Sequence, residues 1–501
     1  MGQEQARIAA LLKEAVALHQ AGKLDRAEAR YRQVLADAPR QFDALHLLGV
    51  VKRQQGQAQQ AVTLIAQALA VDPGQASAHC NLGAALQDLG RGSEALASYD
   101  AALARNPGYA LAWSNRGNAL RRLDRLPEAV DSYERALALR PAYPEAWCNR
   151  AIALLDLGQA QAALASCERA LAGRPVYPEA LCVRANALFQ LRDFEAALRG
   201  YEDALRRDPK APEAQSGRGL ALLKLGRAQE ALACFDAALA LRPDHPASNR
   251  QRAEALLALG RRDEAIAAFE RARAVGDDGA QIDFALAALG VGAAPARAPD
   301  AYVKALFDQY AGHFDRHLTG VLGYRTPDLI AQALARQVAG SDLASVDLGC
   351  GTGLCGAFLR PRSRSLRGVD LSPRMLAQAR ATGLYDELAC ADIGSFLDAH
   401  AGAFDLAVAA DVLVYFGALE TLFAQVRAAL RQGGWFCFST EAGEGADHAL
   451  LPSNRYAHSL AYLRRLAREH GFDMLEARQA VVRSEHGADV SGHLLVLRAP
   501  S

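Results

Sequence analysis

A proline recurs every 34 residues through the first half of the chain, and this period constrains the fold more than any other feature. The positions are Pro39, Pro73, Pro107, Pro141, Pro175, Pro209 and Pro243. A period between about 20 and 50 residues is typical of solenoids, in which each repeat is one supersecondary unit. Because one such unit cannot bury its own apolar stripe, neighbouring units must stack. The sequence therefore predicts a repeat domain.

Three further registers keep the same period. Alanine holds one of them at Ala27, Ala61, Ala95, Ala129, Ala163, Ala197, Ala231 and Ala265, which defines eight repeats from about Ile8 to Gly279. Large residues hold another at Tyr31, Ile65, Tyr99, Tyr133, Tyr201, Phe235 and Phe269, with Cys167 as the exception. Small residues hold a fourth at Gly49, Gly83, Gly117, Ala151, Ala185, Gly219 and Ala253. Small residues opposite large ones predict closely packed helices.

Each repeat has the pattern of two amphipathic helices. In the third repeat the first helix is predicted to end at Gly90, the second to begin near Ser93, and Asn106-Pro107 to end it. The pattern resembles the tetratricopeptide repeat family. The resemblance implies an all-α superhelix of eight helical hairpins over residues 1–279, with a concave surface that binds a protein or peptide.

Asparagines lie on the first helices of several repeats. Asn81, Asn115 and Asn149 share one register, and Asn118 and Asn186 share a second. The arrangement is similar to the asparagine ladder of O-linked N-acetylglucosamine transferases, which implies amides that hold a peptide backbone. Solvated polar positions on exposed helix faces give the same pattern, so both interpretations stand.

The period ends after Phe269, and the pattern of the chain changes. Residues 280–300 are predicted to form one further helix, at about Gln281 to Leu289, and a linker rich in Gly, Ala and Pro. Residues 301–501 alternate short apolar segments with helical patterns. This alternation predicts a doubly wound, mostly parallel sheet with ligands at the carboxyl ends of its strands.

Three strand ends of this sheet carry candidate ligand-binding residues. The first strand runs into Gly349-Cys350-Gly351-Thr352-Gly353, where glycines let the backbone approach a ligand. The second ends at Asp370-Leu371, which places a carboxylate where ribose hydroxyls can donate to it. The third is followed by Asp392-Ile393, an acceptor for an exocyclic amine and an apolar contact for a base. Together they predict an adenosine site.

Two cofactors compete for this site, because residues 351–356 also satisfy the G-x-G-x-x-G pattern of dinucleotide binding, which is a weak signal alone. A turn that opened at Gly351 would put Asp347 and Gly349 inside the strand. A turn that opens at Gly349 leaves the strand intact and puts Asp347 at its tip. The carboxylate of Asp347 would attract an ammonium group and repel a pyrophosphate. An adenosyl amino acid is therefore favoured.

The second half resembles class I S-adenosylmethionine-dependent methyltransferases from about Tyr302 to Arg498. The resemblance implies a Rossmann-like, seven-stranded sheet that binds S-adenosyl-L-methionine through Asp347, Gly349, Cys350, Gly351, Gly353, Asp370, Leu371, Asp392, Ile393 and Asp411. It also implies a fifth strand after Gly433-Gly434 and a closing antiparallel strand at about Gly492–Leu497. The flanks at 307–315 and 455–459 resemble those of bacterial methyltransferases that carry tetratricopeptide repeats.

Methyl transfer depends mainly on positioning and only sometimes on a base. The residues that could act as a base or orient the acceptor are His313, His317, Tyr415, Tyr456 and His458. Histidine is the usual acid-base group near neutral pH. Any one of these side chains has a packing role as its alternative.

Composition excludes several functions. Lys plus Arg and Asp plus Glu both total 56, so bulk charge does not favour nucleic acid or an anionic membrane. No long uncharged apolar segment predicts a membrane span or a signal peptide. The nine cysteines have no C-x-x-C pair and the histidines no paired metal spacing, so neither zinc nor a disulfide framework is expected. A cytoplasmic location is expected.

Three functions fit these features. The first is a methyltransferase whose repeats recruit a protein or peptide acceptor. The second is a small-molecule O- or N-methyltransferase whose repeats serve localisation or assembly. The third is a non-catalytic scaffold, which the intact Asp347, Asp370 and glycines argue against.

Overall fold

The computed structural model describes residues 2–310, 324–445, 447–485 and 488–501. The chain forms two compact units, Met1–Pro243 and Asp244–Ser501. The boundaries expected at residues 279 and 300 mark changes of sequence pattern and remain predictions. No helix within the described ranges is long and apolar enough to cross a membrane.

Sixteen helices, α1 to α16, form the eight predicted hairpins. In chain order they are Gly2–Gln20, Leu24–Asp37, Phe42–Gln54, Ala58–Val71, Ala76–Asp88, Gly92–Arg105, Ala110–Arg122, Leu126–Leu139, Pro144–Asp156, Ala160–Gly173, Pro178–Gln190, Phe194–Arg207, Pro212–Lys224, Ala228–Leu241, Pro246–Ala258 and Arg262–Ala274. The predicted stop at Gly90 is confirmed, because α5 ends at Asp88 and Gly90, two residues later, has φ +73°. Glycine adopts this left-handed conformation without steric cost.

The small and large registers meet inside each hairpin, as predicted. A Cβ at Gly83 would lie 2.7 Å from Tyr99, and one at Gly117 would lie 2.6 Å from Tyr133. Tyr99 and Tyr133 are fully buried. The glycines therefore let the two helices of a hairpin approach closely enough to bury an aromatic ring.

The second unit continues with α17 (Gly279–Ala288) and α18 (Asp300–Tyr310) and then forms a nine-stranded sheet. The strands β1 to β9 are Leu343–Leu348, Ser363–Asp370, Glu387–Cys390, Phe404–Ala409, Leu430–Ala442, His448–Leu450, Tyr456–His458, Asp473–Glu485 and Ala488–Arg498. Strands β3, β2, β1, β4 and β5 pair in parallel in that order. Strand β9 pairs antiparallel with β5 along Trp435–Glu441, and β8 pairs antiparallel with β9.

Seven of these strands form the predicted sheet, and its antiparallel closing strand is confirmed. The other two strands, β6 and β7, form a hairpin of three-residue strands, and β7 pairs in parallel with the last two residues of β5. Such short strands carry too few residues for a period-two pattern, so the sequence did not predict them.

Helices cover both faces of the sheet. They are α19 to α24, at Thr326–Gln337, Gly356–Leu359, Pro373–Ala381, Ile393–Asp398, Glu420–Ala429 and Leu460–Glu469. One apolar cluster joins Val346 of β1 to Phe396, Phe423 and Leu463 of α22, α23 and α24. A second cluster joins Leu406 of β4 to residues of α19 and α20. This layering leaves the carboxyl ends of β1 to β4 as the place for a ligand.

Candidate functional site

The carboxyl end of β1 leads into a loop whose three alternate glycines have left-handed backbones. The φ angles of Gly349, Gly351 and Gly353 are 69°, 54° and 93°. A Cβ at Gly349 would lie 2.5 Å from Cγ2 of Val412, in the loop after β4. Glycine is thus required at residue 349 by its conformation and by a close approach within the protein itself. The sequence pattern indicated only the approach of a ligand.

Strand β2 ends at Asp370, whose carboxylate accepts two backbone hydrogen bonds. The amide of Gly351 donates to Oδ2 over 2.9 Å, and the amide of Ser372 donates to Oδ1 over 2.8 Å. Burial raises the pKa of Asp370, and the two amides oppose that rise. The carboxylate therefore holds the glycine loop against β2, a role that the sequence did not indicate.

Asp347 lies one residue before the end of β1 and does not line the cavity described below. Its carboxylate is buried, and the hydroxyl of Tyr385 donates to its Oδ2 over 2.7 Å. Burial raises the pKa of Asp347 to about 7, although the Tyr385 hydroxyl and its hydrogen bond oppose the rise. The carboxylate was expected to meet an ammonium group of the ligand. In this structure it contacts a tyrosine.

Strand β3 is followed by Asp392, which caps α22. Its Oδ1 accepts from the amide of Ser395 over 3.1 Å, and the guanidinium of Arg297 donates to its Oδ2 over 2.6 Å. Burial raises the pKa of Asp392, but the Ser395 amide and the Arg297 guanidinium outweigh burial and hold the pKa below its ordinary value. The carboxylate is therefore negatively charged at neutral pH.

These strand ends enclose one cavity. Its lining includes the predicted residues Gly349, Cys350, Gly351, Asp370, Leu371, Asp392, Ile393 and Asp411. Asp347 and Gly353, both within the described ranges, do not line it. The cavity therefore combines a glycine loop, two partly buried carboxylates and the apolar side chains of Leu371 and Ile393.

Comparison with known families identifies both halves of the chain. Tetratricopeptide repeat profiles match residues 12–76, 47–110, 182–246 and 222–289, and further repeat profiles match 117–158 and 144–175. A methyltransferase domain profile matches residues 346–434, which contain the glycine loop and all three carboxylates described above. The chain combines tetratricopeptide repeats with a methyltransferase domain.

Curated relatives match this methyltransferase domain. Human methyltransferase-like protein 27 is 39% identical over 20% of the chain and 42% of its own length. Malonyl-[acyl-carrier protein] O-methyltransferase from Enterobacter lignolyticus is 32% identical over 31% of the chain and 57% of its own length. The chain thus spans about half the length of these relatives. Among solved structures, a tetratricopeptide repeat protein from Parabacteroides merdae is 19% identical and covers 48% of this chain and 96% of its own, with a TM-score of 0.43.

S-adenosyl-L-methionine is the cofactor of this domain, and the cavity residues fit it. Each oxygen of Asp370 keeps a lone pair beyond its bond to an amide, so the carboxylate can still accept from ribose hydroxyls. Asp392 is charged and faces the same cavity, where an exocyclic amine can donate to it. The apolar side chains of Leu371 and Ile393 suit the faces of a purine.

Only one of the predicted acid-base residues that the structure describes lines the cavity of the methyltransferase domain. That residue is Tyr415, and burial raises its pKa to about 12. Tyr456 is buried, and its hydroxyl donates to the carbonyl of Pro295. His458 is buried, its Nε2 lies 3.0 Å from the carbonyl of Gly417, and burial lowers its pKa to about 4. His313 and His317 lie outside the described residues.

The sequence pattern did not predict a buried arginine that lies near the cavity. Arg483 of β8 is 1% exposed, donates to Asp411 over 3.3 Å, and pairs with Glu441 of β5. Asp411 has φ +56°, an uncommon conformation for a residue other than glycine. Arg483 therefore restrains the side chain of a cavity residue from outside the cavity. The only sign of this residue in the sequence was that an arginine directly follows the apolar residues 480–482.

The asparagines of the repeats have neighbours within the protein. The amide nitrogen of Asn81 lies 2.9 Å from His46, and that of Asn115 lies 3.7 Å from Sγ of Cys80, each in the preceding repeat. Asn118 and Asn186 accept hydrogen bonds from Tyr133 and Tyr201 of their own repeats. Asn149 is half-buried. A peptide-binding role for all five remains a prediction.

Proposed function

We propose that the chain is an S-adenosylmethionine-dependent methyltransferase whose repeats recruit a protein or peptide acceptor. One observation carries the catalytic part: a cavity at the carboxyl ends of β1, β2, β3 and β4 presents the carboxylates of Asp370 and Asp392 beside a glycine loop. This donor set suits ribose hydroxyls and an adenine amine. The family match over residues 346–434 supports the same assignment.

The residues of the cavity have separate tasks in this reaction. Asp370 holds the ribose while it also holds the glycine loop, and Asp392 accepts from the amine of adenine. When bound, S-adenosylmethionine would supply an activated methyl group, which passes to the acceptor nucleophile while the sulfonium sulfur leaves as a thioether. Asp411, restrained by Arg483, and Tyr415 line the cavity and are the described candidates for orienting that nucleophile.

An Asp370→Asn variant tests the cofactor assignment. The substitution removes the charge from two hydrogen bonds to ribose and should weaken S-adenosylmethionine binding by about 1.5 to 3 kcal/mol, which is roughly 10- to 150-fold. Calorimetry measures the affinity. Asp386→Asn is the control, because Asp386 pairs with Arg360 outside the cavity and should leave the affinity unchanged. Full affinity in a folded Asp370→Asn variant would refute the ribose role.

The repeats support a macromolecular acceptor rather than a small one. A run of helical hairpins offers an extended recognition surface, and tethering an acceptor to the chain that carries the catalytic domain raises its effective concentration. A small metabolite gains nothing from such a surface. If residues 278–501 alone methylated small acceptors as fast as the full chain and lysate proteins received no label from either, the small-molecule alternative would replace this proposal.

A further inference from the structure

The segment between α17 and α18, expected to be a plain linker, pairs with the loop after β4. The carbonyl of Ala296 accepts from the amide of Gly417 over 2.8 Å, and the amide of Ala298 donates to the carbonyl of Tyr415 over 2.8 Å. Arg297 and Phe416 form an antiparallel bridge between these bonds. We call residues 295–298 the seam segment. Its backbone is thus fixed to the loop that carries Tyr415.

Side chains hold the seam segment from its other side. The hydroxyl of Tyr456 in β7 donates to the carbonyl of Pro295, and Ala298 is 2% exposed. The ring of Phe284 in α17 packs 5.2 Å from Tyr302 and 6.2 Å from Tyr456, measured between ring centroids. The β6–β7 hairpin and α17 therefore hold the segment in one position.

The seam segment and the start of α18 form a wall of the cofactor cavity. Arg297, Ala298, Asp300, Val303 and Phe307 line it together with the glycine loop. The guanidinium of Arg297 donates to Asp392 over 2.6 Å and lies 3.2 Å from Asp300. Because Ser395 holds the other oxygen of Asp392, the carboxylate is fixed from two sides.

We propose that the seam segment is part of the S-adenosylmethionine site, with Arg297 as a positioning residue that orients Asp392 and covers the adenine end of the cavity. A preoriented carboxylate loses less freedom when it accepts from adenine. The cofactor and the seated segment then stabilise each other, since coupling between two binding events is reciprocal. The inference rests on S-adenosylmethionine as the cofactor.

Cofactor titrations of three variants test the proposal. Arg297→Ala should weaken S-adenosylmethionine binding about 5- to 20-fold, and Arg297→Lys should recover part of that loss. Tyr456→Phe removes the hydrogen bond to Pro295 without touching the cavity and should weaken binding 2- to 5-fold. Arg336→Ala is the matched control, because the Arg336–Glu476 pair has nearly the same exposure of its arginine, 43% against 44% for Arg297, and lies outside the cavity.

The binding measurements distinguish failure of the cofactor assignment from failure of the role given to the seam segment. If the wild-type chain does not bind S-adenosylmethionine, the cofactor assignment fails and this inference with it. If the wild type binds and a folded Arg297→Ala variant binds equally well or more tightly, only the role of the seam segment is overturned. Circular dichroism establishes folding, and a normal melting curve for Arg297→Lys keeps the comparison valid if the alanine variant is unstable.

Limited trypsin digestion measures the coupling in the full-length wild-type chain. Saturating S-adenosylmethionine should slow cleavage after Arg297 at least threefold, because a seated segment cannot enter the protease. Cleavage after Arg192, in the turn between α11 and α12, should keep its rate. Mass spectrometry of the products gives both rates. An unchanged or faster cut after Arg297 would show that the cofactor does not favour the seated segment, and the proposal would be wrong.

Discussion

Asp347 and Asp370 lie near the ends of neighbouring parallel strands, yet their carboxyl groups have different surroundings. Two backbone amides donate to Asp370. Asp347 accepts from the hydroxyl of Tyr385, and burial raises its pKa to about 7. A buried carboxylate with few donors prefers its protonated form. Burial raises the pKa of both carboxyl groups, but backbone amides oppose the rise at Asp370 and a tyrosine hydroxyl opposes it at Asp347.

This difference predicts how Asp347→Asn changes stability with pH. The unfolded chain loses the Asp347 proton near pH 3.8, whereas the folded chain keeps it until about pH 7, so the free energy of unfolding of the wild type falls as pH rises between these values. The variant lacks this loss. It should be more stable than the wild type by roughly 1 to 3 kcal/mol at pH 7.5 and equally stable near pH 4. Urea melts at both pH values measure the difference.

We expect Asp386→Asn to change stability with pH in the direction opposite to that of Asp347→Asn. The amide of Leu366 and the guanidinium of Arg360 hold the pKa of Asp386 below its ordinary value, so its charge favours the folded state above pH 4. This variant should be less stable than the wild type at pH 7.5, and the difference should shrink as pH falls below 4. The same trend in both variants would contradict the assigned environment of Asp347.

The packing of a helical hairpin in the repeats depends on a glycine that faces a buried aromatic ring. Gly117 of α7 faces the buried ring of Tyr133 in α8, and the phenol of Tyr133 donates to Asn118. The fifth repeat has Ala151 and Cys167 at the equivalent positions, a larger residue facing a smaller one. The combined size of the pair is thus limited by the distance between the two helices.

Gly117→Ala should therefore destabilise the repeats although alanine favours helices. The added Cβ would lie 2.6 Å from the ring of Tyr133, and overpacking of this kind costs about 1 to 3 kcal/mol. Thermal melting by circular dichroism measures the loss. Gly279→Ala in α17, where a Cβ would meet no atom within 4 Å, should leave the melting temperature unchanged or raise it. Equal effects of the two substitutions would refute the packing explanation.

The sequence predicted those elements whose patterns repeat or are long. The 34-residue period located all eight hairpins, and the strand-to-glycine transition at Leu348–Gly349 located the cavity. The β6–β7 hairpin was not predicted, because a strand of three residues is too short to show an alternating pattern of apolar and polar residues. The roles of Arg483 and the seam segment were not predicted, because their partners lie far away in sequence. Asp411 is 72 residues from Arg483, and Asp392 is 95 residues from Arg297. Local pattern carries no information about such pairs.

At the scale of the molecule, we expect substitutions in the repeats to weaken recruitment of a partner without changing cofactor binding. Replacing Asn81, Asn115 and Asn149 by Ala should remove amide contacts to a bound peptide backbone at about 0.5 to 1.5 kcal/mol each, which lowers partner affinity roughly tenfold or more. Labelling of lysate proteins from S-adenosylmethionine with an isotopic methyl group should fall accordingly. Cofactor affinity should not change.

Stability distinguishes this outcome from a packing role. Alanine has the higher helix propensity, and these amides are not fully buried, so the melting temperature should hold or rise slightly. Asn81 and Asn115 contact His46 and Cys80 of the preceding repeats, which gives a packing role a physical basis. A large drop in melting temperature without a selective loss of lysate labelling would assign these asparagines to packing.

The bonds between the seam segment and the loop after β4 limit where this chain can be divided or recombined. Whole 34-residue repeats can be added or removed upstream of α15 without touching those bonds. A catalytic fragment that began at Asp300 would leave the amide of Gly417 and the carbonyl of Tyr415 without the partners they have here, and it would lack Arg297. A transferable catalytic unit must therefore begin no later than Asp278, the N-cap of α17, and the compact unit that contains the sheet begins at Asp244.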